Sequence, residues 1–345
     1  VSIKVDSASV SINRRFALRQ RPPGRIDEGT FELLEEELPA LSDGEALVRT
    51  EWISLDPTNR TWIEDQPGYL PPVQIGETMR ALGLGRVVES KHPDYEEGQL
   101  VQGLLGWTEN FVASNAMPVQ RVPEIEGVSP SLYLGALGMT GLTAWVGMKE
   151  IGKPREGETV VVSAAAGAVG SVAGQLAKRD GARVVGIAGG PEKGSILTDR
   201  LGFDAAVDHR AEDWRDQLKA ATPDGIDVDF ENVGGELMEA VFARLNLRAR
   251  VALCGLISGY NEGAAPAAGS RDAFGSLLIK RATLQGFIIL DHYDKLARVS
   301  SQLAEWIADG SLAPLETVVE GFEQLPSAIN MLFDGANVGK LVVKA

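Results

Sequence analysis

A doubly wound parallel α/β sheet, inserted into a discontinuous β-rich domain, is the fold class this sequence predicts, and three observations carry it. The first is the β-branched run Thr159-Val160-Val161-Val162, which breaks into Ala164-Ala165-Ala166-Gly167-Ala168-Val169-Gly170. A strand that passes through a small-residue turn into an uncharged helix lets bare backbone approach a pyrophosphate, whose charge is held at the helix N-terminus. The second is a period. Further apolar strand candidates begin near Arg183, Ala205, Asp227 and Arg250, roughly every 23 residues, with helical stretches at 191–201, 212–221 and 236–245 between them. The third is contrast: residues 13–128 show short alternating stretches instead, divided by turns such as Arg21-Pro22-Pro23-Gly24 and Gln66-Pro67-Gly68.

Taken in order, the β-rich portion offers strands at 14–18, 45–55, 84–89 and 99–104. The uncharged run 127–148 is long enough to span a bilayer, but its five glycines, Pro130 and four Ser/Thr fit a buried helix with a leader. The βα period follows. A helix is expected around 302–309, and the segment closing in Gly339-Lys340-Leu341-Val342-Val343 returns to the β style. The expected domains are 1–128 with 301–345, β-rich, and 129–300, nucleotide-binding.

The turn is the G-x-G-x-x-G fingerprint with Ala165 in the first glycine position. NAD-selective sites usually end the second strand in an acid that accepts both ribose hydroxyls. Here it ends Ala188-Gly189-Gly190-Pro191, with no acid before Glu192 and with Lys193 just beyond. A ribose phosphate is attracted by that ammonium, so NADPH is the expected coenzyme; the alternative is a solvated first-turn lysine. Arg210, after the third strand, offers a second cation.

With 345 residues the chain suits two domains, and 44% apolar with 23% charged residues is an ordinary globular balance. A net charge of −15 argues against a nucleic-acid partner. The single cysteine, Cys254, excludes a disulfide framework within the chain and reads as a buried thiol. Residues 1–15 lack a signal-peptide shape, and the cytoplasm is the expected compartment. One Cys and three His (His92, His209, His292) make no recognisable metal pair, so no metal is expected. Charge on a substrate oxygen then falls to a tyrosine hydroxyl, backbone N–H groups or the coenzyme's ribose hydroxyl.

The chain resembles the zinc-free medium-chain reductases, the group of curcumin, prostaglandin/leukotriene and alkenal double-bond reductases. The likeness rests on Ser54-Leu55-Asp56-Pro57 with Arg60, Gly138-Met139 with Gly141-Leu142-Thr143-Ala144, the small-residue turn running on to Gln175-Leu176-Ala177-Lys178, and Glu192-Lys193. It continues through Leu201-Gly202-Phe203-Asp204, Glu231-Asn232-Val233-Gly234-Gly235, Cys254-Gly255-Leu256-Ile257-Ser258 with Tyr260-Asn261, Gln285-Gly286-Phe287-Ile288 and Asn337-Val338-Gly339-Lys340.

The resemblance implies a Rossmann sheet with a GroES-like catalytic domain, and NADPH-dependent reduction of the C=C bond of α,β-unsaturated ketones and aldehydes. Hydride passes to the β-carbon, the oxygen carries enolate charge, and a proton reaches the α-carbon. An NADPH quinone reductase and a non-catalytic NADPH-binding protein are the alternatives. By position, Tyr260 is the catalytic tyrosine, donating to the substrate oxygen or organising the ribose. Ala166, Gly167, Ala168, Val169, Gly189, Lys193, His209, Asn232, Cys254 and Asn337 contact the coenzyme, and Met139 and Thr143 line the nicotinamide pocket. Asp56 and Arg60 are expected to pair. A homodimer through residues 283–289, at the edge of the nucleotide-domain sheet, is also implied.

Departures fall at the pocket and the phosphate site. Thr58-Asn59 stands where Tyr-Met is frequent, Thr140 replaces proline, Gly190 replaces a serine, and His209 replaces a phosphate-contacting tyrosine. The stretch 262–270 lacks the usual prolines, which predicts a mobile lid.

Overall fold

The computed structural model describes residues 12–125, 127–261 and 271–345. The strands along the chain are β1 (Ile12–Leu18), β2 (Phe31–Glu37), β3 (Glu45–Leu55), β4 (Gly83–Ser90), β5 (Leu100–Gly103), β6 (Asn110–Ser114) and β7 (Gln120–Arg121). Then come β8 (Thr159–Val162), β9 (Arg183–Ala188), β10 (Ala205–Asp208), β11 (Ile226–Glu231), β12 (Leu245–Leu253) and β13 (Thr283–Gly286), followed by β14 (Glu316–Glu320) and β15 (Lys340–Lys344). The helices used below are α1 (Thr58–Trp62), α2 (Met139–Trp145), α3 (Ala168–Arg179), α4 (Pro191–Ser195), α5 (Trp214–Ala221), α6 (Gly235–Phe242), α7 (Arg271–Lys280) and α8 (Leu296–Ala308). The chain divides into two compact units: Val1–Leu134 with Val318–Asp334 and Leu341–Ala345, and Gly135–Thr317 with Gly335–Lys340.

The first unit is β-rich. A two-stranded β1–β2 ribbon accompanies a mostly antiparallel sheet ordered β14-β15-β3-β4-β5-β7, with β6 also pairing β3. Its core gathers around Trp107, which has no exposed surface and packs against the rings of Phe16 and Phe31. On α1 the buried Arg60 gives Nη1 to Glu64 (2.9 Å) and Nε to the Gly24 carbonyl (3.0 Å). Asp56 accepts the Ser54 hydroxyl, and Arg60 Nη2 reaches the Pro22 carbonyl (3.4 Å), so Arg60 anchors the 22–24 turn.

The second unit is built on one parallel sheet ordered β10-β9-β8-β11-β12-β13. Strand order runs outward from β8 through β9 and β10, then returns to the other side with β11 to β13. The reversal between β8 and β11 is the switch point at which such sheets bind ligands. Val160, Val161 and Val162 have no exposed surface, because a parallel central strand is covered on both faces.

Boundaries shift where pairing overrides pattern. Strand β12 starts at Leu245, not Arg250: Leu245 pairs Ile226, and an irregularity intervenes before Val228 meets Arg250. Arg248 stands there at φ +64. The stretch 191–201 is α4 followed by a wider π-turn at Ile196–Arg200. The nucleotide unit also extends past residue 300, through Thr317. On α8, Trp306 stacks on Trp145 of α2 at 5.9 Å, and the Gln175 side chain of α3 clamps both polar groups of Ala313.

The run 127–148 resolves into a 3₁₀ turn at Pro130–Leu134 and the short α2. Among the described residues no helix is long and apolar enough to cross a membrane. The expected lid, 262–270, lies outside the described residues.

Candidate cofactor-binding site

At the end of β8 the chain turns through Ala164, whose φ of +47 is left-handed, and Gly167 caps α3. A Cβ on Gly170 would lie 2.5 Å from the Ala164 carbonyl oxygen, so this position requires glycine. Ala165 is tolerated in the first glycine position because the room is made across the sheet. Gly186 of β9 faces its methyl, and a Cβ there would approach it to 2.9 Å. The half-buried Ala168 and Val169 form the first turn of α3. The last segment of the unit runs along this turn. Gly339 donates its N–H to the Ala166 carbonyl (2.7 Å) and forms a parallel bridge with Gly167, while Asn337 Nδ2 donates to the Gly339 carbonyl (2.9 Å). Gly339 stands at φ +69, with the space for a Cβ already taken by the Leu315 carbonyl at 1.9 Å.

A cationic group lies beyond β9 and β10. The space a Cβ would take on Gly189 is bordered by Arg210 Nε at 2.7 Å and His209 Nε2 at 3.0 Å. A Cβ on Gly335, which stands at φ +61, would lie 2.9 Å from Arg210 Nη2 and 3.9 Å from Lys193 Nζ. Asp208 ties the two turns by accepting from the N–H groups of Gly190 (2.7 Å) and Arg210 (3.0 Å). Burial, then the neighbouring Arg210, lowers the pKa of Lys193; burial and Arg210 lower that of His209 as well. Burial leads both shifts, and a nearby anion would favour the charged form of each.

On the other side of the switch point the ends of β8, β11 and β12 are knotted together. Glu231 Oε1 accepts from the Ser163 hydroxyl (3.0 Å) and from the N–H groups of Val233 (2.5 Å) and Gly234 (2.8 Å). Asn232 donates its N–H to Ser163 Oγ and its Nδ2 to the Ser163 carbonyl, both at 2.7 Å. The Glu231 carbonyl accepts from Cys254 and Gly255, and that of Asn232 from Ile257. Beside this knot a cavity of about 260 Å³ opens at the ends of β12 and β13, lined by Cys254, Gly255, Leu256, Tyr260, Phe287 and Ile288 among others. The Tyr260 hydroxyl accepts from the Leu256 N–H (3.3 Å) and borders the bare face of Gly255. Burial, with the Glu231 charge adding to it, pushes the Cys254 thiol up to about 12, so it is not a nucleophile near neutrality.

The residues expected from sequence therefore fall into three groups beyond the C-terminal ends of the parallel strands: Gly189, Lys193 and His209 after β9 and β10; residues 166–169 with Asn337 after β8; and Asn232, Cys254 and Tyr260 after β11 and β12. Met139 and Thr143 lie apart from the cavity lining. They sit on α2, where the Thr143 hydroxyl donates to the Met139 carbonyl (2.8 Å). Ser163, Glu231, Gly335, Phe287 and Ile288 were not foreseen as site residues. Glu231, Phe287 and Ile288 fall in segments that carry the resemblance, and the acids Asp227, Asp229 and Glu231 alternate through a central strand, a signal legible in the sequence.

A family model described as the N-terminal domain of oxidoreductase matches residues 14–122, and one described as zinc-binding dehydrogenase matches 168–307. Among the described residues no group of three or more His, Cys, Asp or Glu is placed to hold a metal, so the residues present do not fit the zinc of that description. The NADPH-dependent curcumin reductase of Escherichia coli (strain K12) is 41% identical over 96% of this chain and 96% of its own. A 2-alkenal reductase (NADP(+)-dependent) of Nicotiana tabacum is 36% identical over 96% and 97%. The crystal structure of CurA in complex with NADPH from Vibrio vulnificus superposes with a TM-score of 0.91 at 40% identity, covering 96% of this chain and 99% of that one. With this sheet, this turn and these relatives, the chain belongs to the medium-chain dehydrogenase/reductase family, in the group without a zinc-binding site that includes the curcumin, prostaglandin and 2-alkenal reductases.

Proposed function

We propose that the protein is an NADPH-dependent reductase of the C=C bond of α,β-unsaturated ketones and aldehydes. The observation that carries the reading is the order of features along the C-terminal ends of the parallel strands: cations beyond β9 and β10, a bare-backbone turn at the switch point, and a cavity with a tyrosine hydroxyl beyond β12. That order matches a phosphorylated dinucleotide lying across the sheet, adenosine half on the cations and nicotinamide half at the cavity. NADPH supplies the hydride when bound.

The residues of the chain hold and polarise. Lys193, His209 and Arg210 take the ribose phosphate as charge-assisted donors, and the α3 N-terminus with the N–H groups of 168 and 169 takes the diphosphate. Asn232 and Asn337 border the nicotinamide half and the diphosphate. Tyr260 donates its hydroxyl proton as a hydrogen bond to the substrate oxygen or to the ribose and so favours enolate charge. The apolar walls of Leu256, Phe287 and Ile288 exclude water from the alkene.

The protein works as a homodimer through β13, whose residues are all exposed at the sheet edge, and a reducing cytoplasm suits its single cysteine. The test is product analysis with a panel of enones, enals and quinones against NADPH and NADH. The saturated carbonyl compound formed with NADPH is expected. An allylic alcohol, or a protein that retains neither reduced coenzyme in a calorimeter, overturns the reading.

A further inference from the structure

Two acids in the central strand β11 have no exposed surface, Asp229 and Glu231. They point to the same face, two residues apart. Asp229 lies in register between Val161 and Val251, in an apolar core, and neither of its carboxyl oxygens has a hydrogen-bond partner. Glu231 differs, because its Oε1 collects three donors while Oε2 is buried without one. Two neighbouring buried carboxyls do not both ionise, and the proton stays on the one that has no donors. Burial and Glu231 push the Asp229 carboxyl well up; burial raises Glu231 too, but its three donors oppose that shift, so the proton goes first to Asp229 and the negative charge the pair carries sits on Glu231.

That charge has no counter-ion: no ion pair of the described residues involves Glu231, and its donors are dipoles. Ser163, which donates to it, also binds Asn232, and the Glu231 backbone carbonyl accepts from Cys254 and Gly255, which line the cavity. The thiol of Cys254 already senses the charge. We infer that Glu231, kept ionised by Ser163 and the N–H groups of Val233 and Gly234, biases the nicotinamide half of the site toward the oxidised, positively charged ring over the neutral reduced ring. The inference rests on the coenzyme reading above. A unit charge in a partly desolvated site acts over several ångströms, which is enough to favour hydride loss.

The measurement is the ratio of dissociation constants for NADP⁺ and NADPH, by calorimetry, in the full chain. Glu231→Gln keeps the size and an acceptor oxygen for the loop N–H groups but removes the charge. It should weaken NADP⁺ relative to NADPH about tenfold. Lys193→Ala, at the other end of the coenzyme, leaves Glu231 untouched and should weaken NADP⁺ and NADPH alike, with their ratio unchanged. An unchanged ratio in Glu231→Gln overturns the inference, whatever happens to the absolute affinities. Should Glu231→Gln not fold, Glu231→Met, which also removes the charge at similar size, carries the test: the same tenfold shift in the ratio supports the role, and an unchanged ratio overturns it. A wild-type protein that binds neither coenzyme instead overturns the coenzyme reading itself.

Discussion

Lys193, Tyr260 and Asp229 each make a demand that a single substitution can meet or refuse. If the ammonium of Lys193 reads the ribose phosphate, Lys193→Ala weakens NADPH far more than NADH, by about 1–3 kcal/mol for a lost charge-assisted bond; titration with both coenzymes checks it, and equal losses refute the role. Tyr260→Phe keeps the ring against Gly255 and loses the donor, so turnover falls while NADPH affinity stays nearly intact, as steady-state rates beside calorimetry will tell. Asp229 is a matter of stability. Its folded-state pKa is raised by burial and by Glu231. Below the ordinary carboxyl range, near pH 4, it is protonated folded and unfolded and no penalty arises. As pH rises above that range the unfolded chain releases the proton and the folded one does not, so stability falls. Asp229→Leu should thus raise stability by about 1–3 kcal/mol in urea melts at neutral pH, with a smaller gain near pH 4.

At the scale of elements, the β8–α3 turn is the tightest constraint. Gly170→Ala forces a methyl against the Ala164 carbonyl, a backbone atom that cannot swing aside. It should cost about 1–3 kcal/mol and abolish NADPH binding, read by thermal melts with and without coenzyme. This turn and the strand period were legible in the sequence because buried parallel strands write themselves as unbroken apolar runs. Strand β2 was not legible: Phe-Glu-Leu-Leu-Glu-Glu-Glu carries too little apolar alternation, and its strand form comes from pairing with β1, where Arg15 meets Glu36 at 3.1 Å. The start of β12 was hidden by the irregularity around Arg248. In the site, the coenzyme fingerprint was local and could be read. The approach of Gly335 to Arg210, and of Ser163 to Glu231, joins residues far apart in the chain that no spacing rule connects.

The whole molecule presents an unpaired sheet edge. Every residue of β13 is exposed, and on the neighbouring α7 Phe274, Leu278 and Ile279 are 62%, 78% and 68% exposed. An apolar patch beside open strand N–H and C=O groups invites a second copy, related by a two-fold axis. Leu284→Lys with Ile279→Glu should give a folded monomer where the parent sediments as a dimer; a parent that is monomeric at micromolar concentration removes the proposal.

The bridge between Gly167 and Gly339 also orders events in time. A ribosome translates the fingerprint turn more than a hundred and fifty codons before it reaches the glycine that props that turn from outside. Until Gly339 emerges, the Ala166 carbonyl lacks its donor and Arg210 its lid at Gly335. Nascent chains arrested short of that point should not be rescued by added coenzyme, so ligand capture reports that synthesis has passed it.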